Sequence, residues 1–274
     1  MGRATGWARR VWRQVSIVLP VGIRLFITGH YNRRYGEAEI RHLHRFVTKG
    51  TIAIDVGASG GDYAFILARL VGSKGQVLCV EPIPEQARLL GRAKRQLRLP
   101  VKVEACALSD YSGQATLHVP VDNGRSLEGW ASLEPHGFDE FTAISVPVRT
   151  LDELTTDVSE PISFIKIDVE GHELAVLRGG SATIAKHRPV MLVEIEDRHS
   201  ATSMAERLAY IVDLGYRGTF LDAAGTRRNL EEFDLSIHQG NAPTADESGE
   251  AYVNNFLFVP SEFSATLLFS ELAK

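Results

Sequence analysis

Between residues 51 and 105 the apolar positions change period several times. Residues 51–56 are a short apolar run with one carboxylate, Asp55, near the end. Gly57, Gly60 and Gly61 break the run, and Tyr63, Phe65, Ile66, Leu67 and Leu70 follow at the spacing of an amphipathic helix. Gly72 to Gly75 is a turn, and residues 76–80 form a second apolar strand ending in Glu81 and Pro82. Residues 85–97 read as a helix with Ala87, Leu89, Leu90 and Ala93 apolar and Arg88, Arg92, Lys94 and Arg95 polar. Pro100 stops that region, and residues 101–105 are a third strand. This βαβαβ order with short connections predicts a mostly parallel sheet with helices on both faces.

The pattern extends in both directions. Residues 36–49 read as a helix leading into the first strand, with Ile40, Leu43, Phe46 and Val47 on its apolar side. Ala107, Leu108, Ser109 and Asp110 read as a loop. Residues 115–119 and 145–148 are extended segments around a long irregular insert, residues 120–144, which contains Trp130, Ser132, His136 and Phe138. Thr150 with Glu153 fits a capping box over a short helix. Residues 164–169 and 189–195 are further strands. A helix with Leu174, Val176 and Leu177 lies between them and breaks at Gly179 and Gly180. Residues 201–214 are helical, with Gly215 as the cap. Residues 216–222 and 255–259 read as a final antiparallel pair, and the polar stretch 236–250 as a mobile loop. One domain over residues 50–274, behind an extension of residues 1–49, accounts for the pattern.

Composition changes little: 274 residues, 44% hydrophobic and 23% charged, describe a globular chain of one large domain or two small ones. A net charge of −4 gives no global case for nucleic-acid binding. The two cysteines, Cys79 and Cys106, lie in or beside apolar runs and read as reduced core thiols, which fits a cytoplasmic location. The N-terminus is different. Residues 1–36 hold seven arginines and no acidic residue, with Trp7, Trp12, Val15, Val18 and Leu19 interleaved. Three readings stand: a helix packed on the domain, a basic amphipathic helix making peripheral contact with an anionic membrane surface, or a targeting segment. The apolar run there is shorter than the ~20 residues of a membrane span.

Candidate chemistry collects at the carboxyl ends of the strands, where open α/β sheets bind ligands. Asp55 and Glu81 end the first two strands, Asp168 and Glu170 the fourth, and Glu194, Glu196 and Asp197 follow the fifth. The turn after the first strand is neither a P-loop nor G-x-G-x-x-G. A carboxylate two residues before its first glycine would repel a pyrophosphate, but it suits an aminoacyl cation. S-adenosylmethionine has that ammonium, a sulfonium and a ribose diol, and no phosphate. Glu81 is placed to accept the ribose hydroxyls, and residues 107–110 to flank the adenine.

The runs IDVGASGGDYAFILARLVGSKGQVLCVEPIPE, ALSDYSG, VRTLDEL, FIKIDVEGHELAVLRGG, VMLVEIE and NNFLFVP resemble the FkbM family of S-adenosylmethionine-dependent methyltransferases, in the family's order over about residues 51–260. IDVEGHE is the most specific part. The resemblance implies the class I methyltransferase fold: a seven-stranded, mostly parallel, Rossmann-like sheet with the last strand antiparallel. It also implies O-methylation of hydroxyls, often on sugars of glycans, glycolipids or small natural products. Ser59 stands where the family usually has Asn, and Ile83 where it often has Asn. The cofactor-binding set is then Asp55, Gly57, Ala58, Ser59, Gly61, Tyr63, Glu81, Pro82, Ile83, Ala107, Leu108, Ser109 and Asp168.

Methyl transfer needs in-line alignment and, for an alcohol, a base near its proton. Asp168, Glu170, His172 and Glu194 are the candidates, and His172 has a plainer role packing the start of its helix. No metal site is assigned. A divalent-cation variant through Asp168, Glu194, Glu196 and Asp197 is one alternative, and a catalytically silent binding module on the same fold is another. Asp-Val-Glu-Gly after the fourth strand is not the Asn/Asp-Pro-Pro-aromatic motif of N- or protein methyltransferases. Acceptor specificity is expected in residues 120–144 and 236–250 and in the N-terminal helix.

Overall fold

The computed structural model describes residues 38–122, 124–134, 140–197, 200, 202–240 and 252–263. The basic segment, His136, Phe138 and most of the 236–250 stretch lie outside them.

The chain enters through a 3-10 helix, Ala38–Arg45, which buries Ile40 and Leu43. It then alternates as the hydrophobic pattern dictates: β1 (Ile52–Val56), α1 (Asp62–Val71), β2 (Gln76–Val80), α2 (Pro84–Leu97) and β3 (Val101–Glu104). The second half continues with β8 (Ile162–Ile167), α4 (Glu173–Gly179), α5 (Ser181–His187), β9 (Val190–Glu194), α6 (Met204–Asp213), β10 (Tyr216–Leu221), β11 (Arg227–Asn229), α7 (Leu235–His238) and β12 (Asn255–Pro260). These strands form one sheet in the order β11-β10-β12-β9-β8-β1-β2-β3. β3, β2, β1, β8 and β9 are parallel, and β12 runs antiparallel to both β9 and β10. The sheet is therefore mixed, with eight strands rather than seven; β11 is the addition, a short edge strand paired with β10.

The two faces separate by the period-two rule. Ile52, Ile54, Val56, Ile165, Ile167, Met191 and Val193 pack with α4 on one side. Ala53, Phe164 and Leu192 pack with Ala64, Leu67 and Val71 of α1 on the other. Cys79 and Cys106 are buried and unbridged.

Between β3 and β8 lies a second, four-stranded sheet: β4 (Ala107–Leu108), β5 (Gly113–Asp122), β6 (Arg125–Ser126) and β7 (Phe141–Arg149), in the order β4-β7-β5-β6. This corrects the sequence reading at two points. Ala107 and Leu108 form a strand rather than a loop, paired with Val148 and Arg149. The irregular insert is also shorter than 120–144, because β5 and β7 stay paired out to Pro120 and Phe141. Alternation in β5 is masked by Pro120 and by polar residues on an exposed face, so the pattern understates its length. The third core cluster, Ile83 with Leu117, Val119, Val146 and Val148, fastens this sheet to the start of α2. β7 runs into α3 (Leu151–Thr155), where the Thr150 side chain accepts from the Glu153 N–H as a cap. Residues 236–238, expected in a mobile loop, belong to a short helix, Leu235–His238, capped by Asp234.

Candidate active site

Asp55 is the fourth residue of a fully buried five-residue strand, on the face towards α1, and is 2% exposed. Its Oδ2 has no hydrogen-bond partner. Burial pushes its carboxyl from an ordinary value near 3.8 to about 7, against the pull of the Lys166 ammonium. The chain then makes a tight turn. Gly57 has φ 77°, and a Cβ there would sit 1.8 Å from the Asp168 carbonyl oxygen, so only glycine lets β1 and β8 close at this point. Gly57 and Ala58 donate to the Val80 carbonyl at 3.0 and 3.2 Å, and Gly61 donates to the Ala58 carbonyl at 2.8 Å. Ser59 is held at φ 41°. Asparagine tolerates this left-handed region better than serine, so the departure from the usual family residue falls on a strained position.

Glu81 explains the rest of the turn. Its Oε2 accepts the Ser59 N–H at 2.7 Å and its Oε1 the Ile83 N–H at 2.8 Å. Burial raises its carboxyl to about 6 despite those two donors. Each oxygen keeps a second lone-pair direction, so a diol can still be accepted while the loop stays tied. Ile83 faces the third core cluster, and Pro82 is half-buried beside it.

The turn after β8 is built differently. Glu170 (φ 48°) and Gly171 (φ 92°) reverse the chain, and the Gly171 N–H donates to Glu173 Oε1 at 2.7 Å. Glu173 Oε2 takes Arg207 Nη1 at 2.9 Å, and Arg207 Nη2 reaches the Glu196 carbonyl at 2.9 Å. Both partners of this ion pair are essentially inaccessible. Arg207→Met should therefore strand a buried carboxylate and cost about 3–5 kcal/mol. Thermal unfolding checks it, with a fall in Tm of roughly 10 °C expected.

His172 occupies the N-cap of α4 but makes no cap bond with its side chain. Its Nδ1 lies 2.7 Å from Glu134 Oε1 and its Nε2 3.0 Å from Ser109 Oγ. An ionised Glu134 accepts from Nδ1–H, which makes Nε2 the acceptor of the Ser109 hydroxyl in the neutral ring. Ser109 has a second acceptor, Asp110 Oδ1, at 3.3 Å. A Cβ on Gly179 would lie 2.0 Å from the Ser109 carbonyl oxygen, so this glycine brings the β4 loop onto α4. Ser132 Oγ donates to the Glu170 carbonyl at 2.6 Å, and Glu134 N–H donates to Ser132 Oγ at 3.0 Å. Residues 132–134 of the insert are thus stitched to the turn.

Lys166 and Glu134 are the site residues that the sequence reading passed over. Lys166 sits in the run FIKI, and a lysine inside a central strand has to be buried; that was its signal. It is 1% exposed. Its Nζ donates to Asn255 Oδ1 at 2.9 Å, stands 3.5 Å from Glu194 Oε2 and 3.7 Å from Asp168 Oδ2, and lies 5.3 Å from the Tyr63 ring centroid. Glu194 Oε1 accepts Asn254 Nδ2 at 2.5 Å, and the same nitrogen reaches Glu196 Oε1 at 3.2 Å. Glu134 had no signal beyond lying in the insert.

The structure brings Asp55, Tyr63, Asp168 and Glu194 together around Lys166. It brings His172 and Ser109 together with Glu134, and Ser59, Glu81 and Ile83 at the β2 end. Ala107 and Leu108 do not present side chains here; both are buried in core clusters. A lysine ammonium lies between Asp168 and Glu194, where the divalent-cation alternative needed a metal, and no group of three metal-ligating side chains occurs among the described residues.

The strand order, with its reversed strand between β9 and β10 and its glycine turn after β1, defines the class I methyltransferase fold. A model of the methyltransferase FkbM domain matches residues 55–217, more than half of the chain. The chain belongs to the FkbM methyltransferase family. It is similar to 2-O-methyltransferase NoeI of Sinorhizobium fredii (28% identity over 148 residues, 50% of this chain and 60% of that one). It is also similar to protein-L-isoaspartate O-methyltransferase 1 of Arabidopsis thaliana (29% over 114 residues, 41% and 45%). The chain thus spans about half the length of these relatives. Among solved structures, a methyltransferase FkbM from Methylobacillus flagellatus aligns with TM-score 0.46 and 17% identity over 90% of this chain and 57% of that one. No helix among the described residues is long and apolar enough to cross a membrane.

Proposed function

We propose that this protein is an S-adenosylmethionine-dependent O-methyltransferase acting on a hydroxyl of a sugar-containing small molecule or glycan. The observation that carries the cofactor reading is the buried Asp55 carboxyl, whose Oδ2 has no hydrogen-bond partner among the described residues, beneath a turn that leaves no room for a side chain at Gly57. A buried acceptor with no donor is costly unless a ligand supplies one. The amino-acid end of the cofactor carries an ammonium suited to that group, and Glu81 retains free acceptor directions for the ribose. Oxygen as the acceptor atom is supported by the names of both curated relatives.

When bound, S-adenosylmethionine supplies a sulfonium methyl that is already electrophilic. The chain's own work is alignment and proton removal. Asp55, Glu81 and the Gly57–Gly61 turn fix the cofactor end. Asp168, Glu170, His172 and Glu194 surround the reaction side, and the acceptor's proton passes to one of them as its oxygen attacks. Glu134 orients His172, and its Nε2 becomes available for that proton when the Ser109 hydroxyl turns to Asp110. Titrating S-adenosylmethionine and its demethylated product into the protein by calorimetry tests the reading, followed by mass detection of methylated sugars. Micromolar binding is expected, and no heat or thermal shift at millimolar ligand would sink it.

A further inference from the structure

We propose that Lys166 is a positioning residue for the cofactor: its buried ammonium is the standing counter-charge that holds the carboxylates at the strand ends in place before the cofactor arrives. This rests on the cofactor assignment above. Every element around Nζ contributes. β1 brings Asp55, α1 brings the Tyr63 ring, the β8 turn brings Asp168, β9 brings Glu194, and β12 brings Asn255. Glu81, from the end of β2, adds to the negative field on Asp55.

Two features separate this arrangement from a plain stabilising ion cluster. The lysine is sealed, but its partners are graded outward: Asp168 is 32% and Glu194 17% exposed at their side chains. Both lie at the carboxyl ends of β8 and β9, where ligands of this fold class bind. Buried ion pairs are also seldom more stabilising than apolar packing of similar volume, so stability alone does not account for a lysine in this strand. A cation at this point serves the carboxylates. It offsets their mutual repulsion at the strand ends. Asn255 and Asn254 complete the device by holding Nζ and Glu194 Oε1 respectively.

The test needs no methyl acceptor. Binding of S-adenosylhomocysteine is followed by calorimetry from pH 6.5 to 8.5, in buffers of different ionisation enthalpy, for wild type, Lys166→Arg and Lys166→Gln. Gln removes the charge and keeps an amide donor, one atom shorter, on the side of Asn255. Without the cation Asp55, already raised by burial, holds its proton to still higher pH, by roughly one unit or more. Lys166→Gln is therefore expected to release about half a proton more on binding than wild type near pH 7.5, and to lose affinity roughly tenfold more steeply on going from pH 8.5 to 6.5. Lys166→Arg should follow wild type. A folded Lys166→Gln with the wild-type proton count and pH dependence overturns the proposal. If Lys166→Gln is unfolded at pH 8.5, refolding at pH 5.5, where the carboxylates take up protons, supports it. Failure to fold at both values shows a packing role and overturns it. Wild type that binds neither cofactor form would instead overturn the functional assignment.

Discussion

Asp55→Asn is expected to make the cofactor-free protein more stable at pH 8 while weakening cofactor binding by at least roughly tenfold, the loss of one charge-assisted contact. The sign follows from the direction of the shift. The carboxyl is raised on folding, from near 3.8 to about 7, so its contribution to stability is fully present below the unfolded value and is lost as pH rises through the folded one. Between about pH 4 and pH 7 the wild type therefore gives up stability that an amide keeps. Three units correspond to roughly 4 kcal/mol, which is the ceiling on the gain, since Asn also surrenders an attraction to Lys166. Glu81, raised to about 6, adds to the same trend in the wild type. Thermal denaturation of both proteins from pH 4 to 8.5, with and without S-adenosylhomocysteine, decides the matter. Equal melting temperatures at pH 8, or unchanged affinity in the variant, would show that Asp55 is neither strained nor part of the cofactor seat.

Gly57→Ala is the second large effect. A methyl group 1.8 Å from the Asp168 carbonyl oxygen cannot be accommodated by rotating a side chain, because the obstacle is backbone, and φ 77° is itself unfavourable for alanine. Either β1 and β8 separate at their carboxyl ends or the turn refolds. A loss of at least about 3 kcal/mol is expected, and with it a melting temperature lower by roughly 10 °C and no measurable cofactor binding. Gly60→Ala is the control: nothing lies within 4 Å of a Cβ there, and Gly60 is absent from the residues at positive φ. It should melt within a degree or two of wild type. A Gly57→Ala protein that melts like the control would mean that the two strands do not approach as described.

Those two positions also show what the sequence could and could not reveal. Asp55, Gly57 and Glu81 were legible because a strand end, a glycine turn and a second strand end are local features, each written within a few residues. The parallel βαβαβ start was legible for the same reason, because its connections are short. The small sheet was not. Its pairing joins residues 113–120 to residues 141–148, across a stretch with no period, and Ala107 and Leu108 join it with only two residues. The partners of His172 were hidden too. Ser109 and Glu134 lie 63 and 38 positions away in the chain, and no spacing rule connects them. Lys166 was marked as buried by its place inside an apolar strand, but its partners Glu194 and Asn255 lie 28 and 89 positions away, where no spacing rule reaches. Acceptor-side geometry is made of such distant pairings, while the cofactor seat is made of neighbours.

The double duty of Ile83 has a mechanical consequence. Its N–H is held by the Glu81 carboxylate, and its side chain sits in the core of the small sheet. The turn at the end of β2 and the small sheet therefore share a datum point, much as two machined parts are referenced to one pin. A shift of the small sheet is therefore transmitted through one residue to the turn that Glu81 ties down.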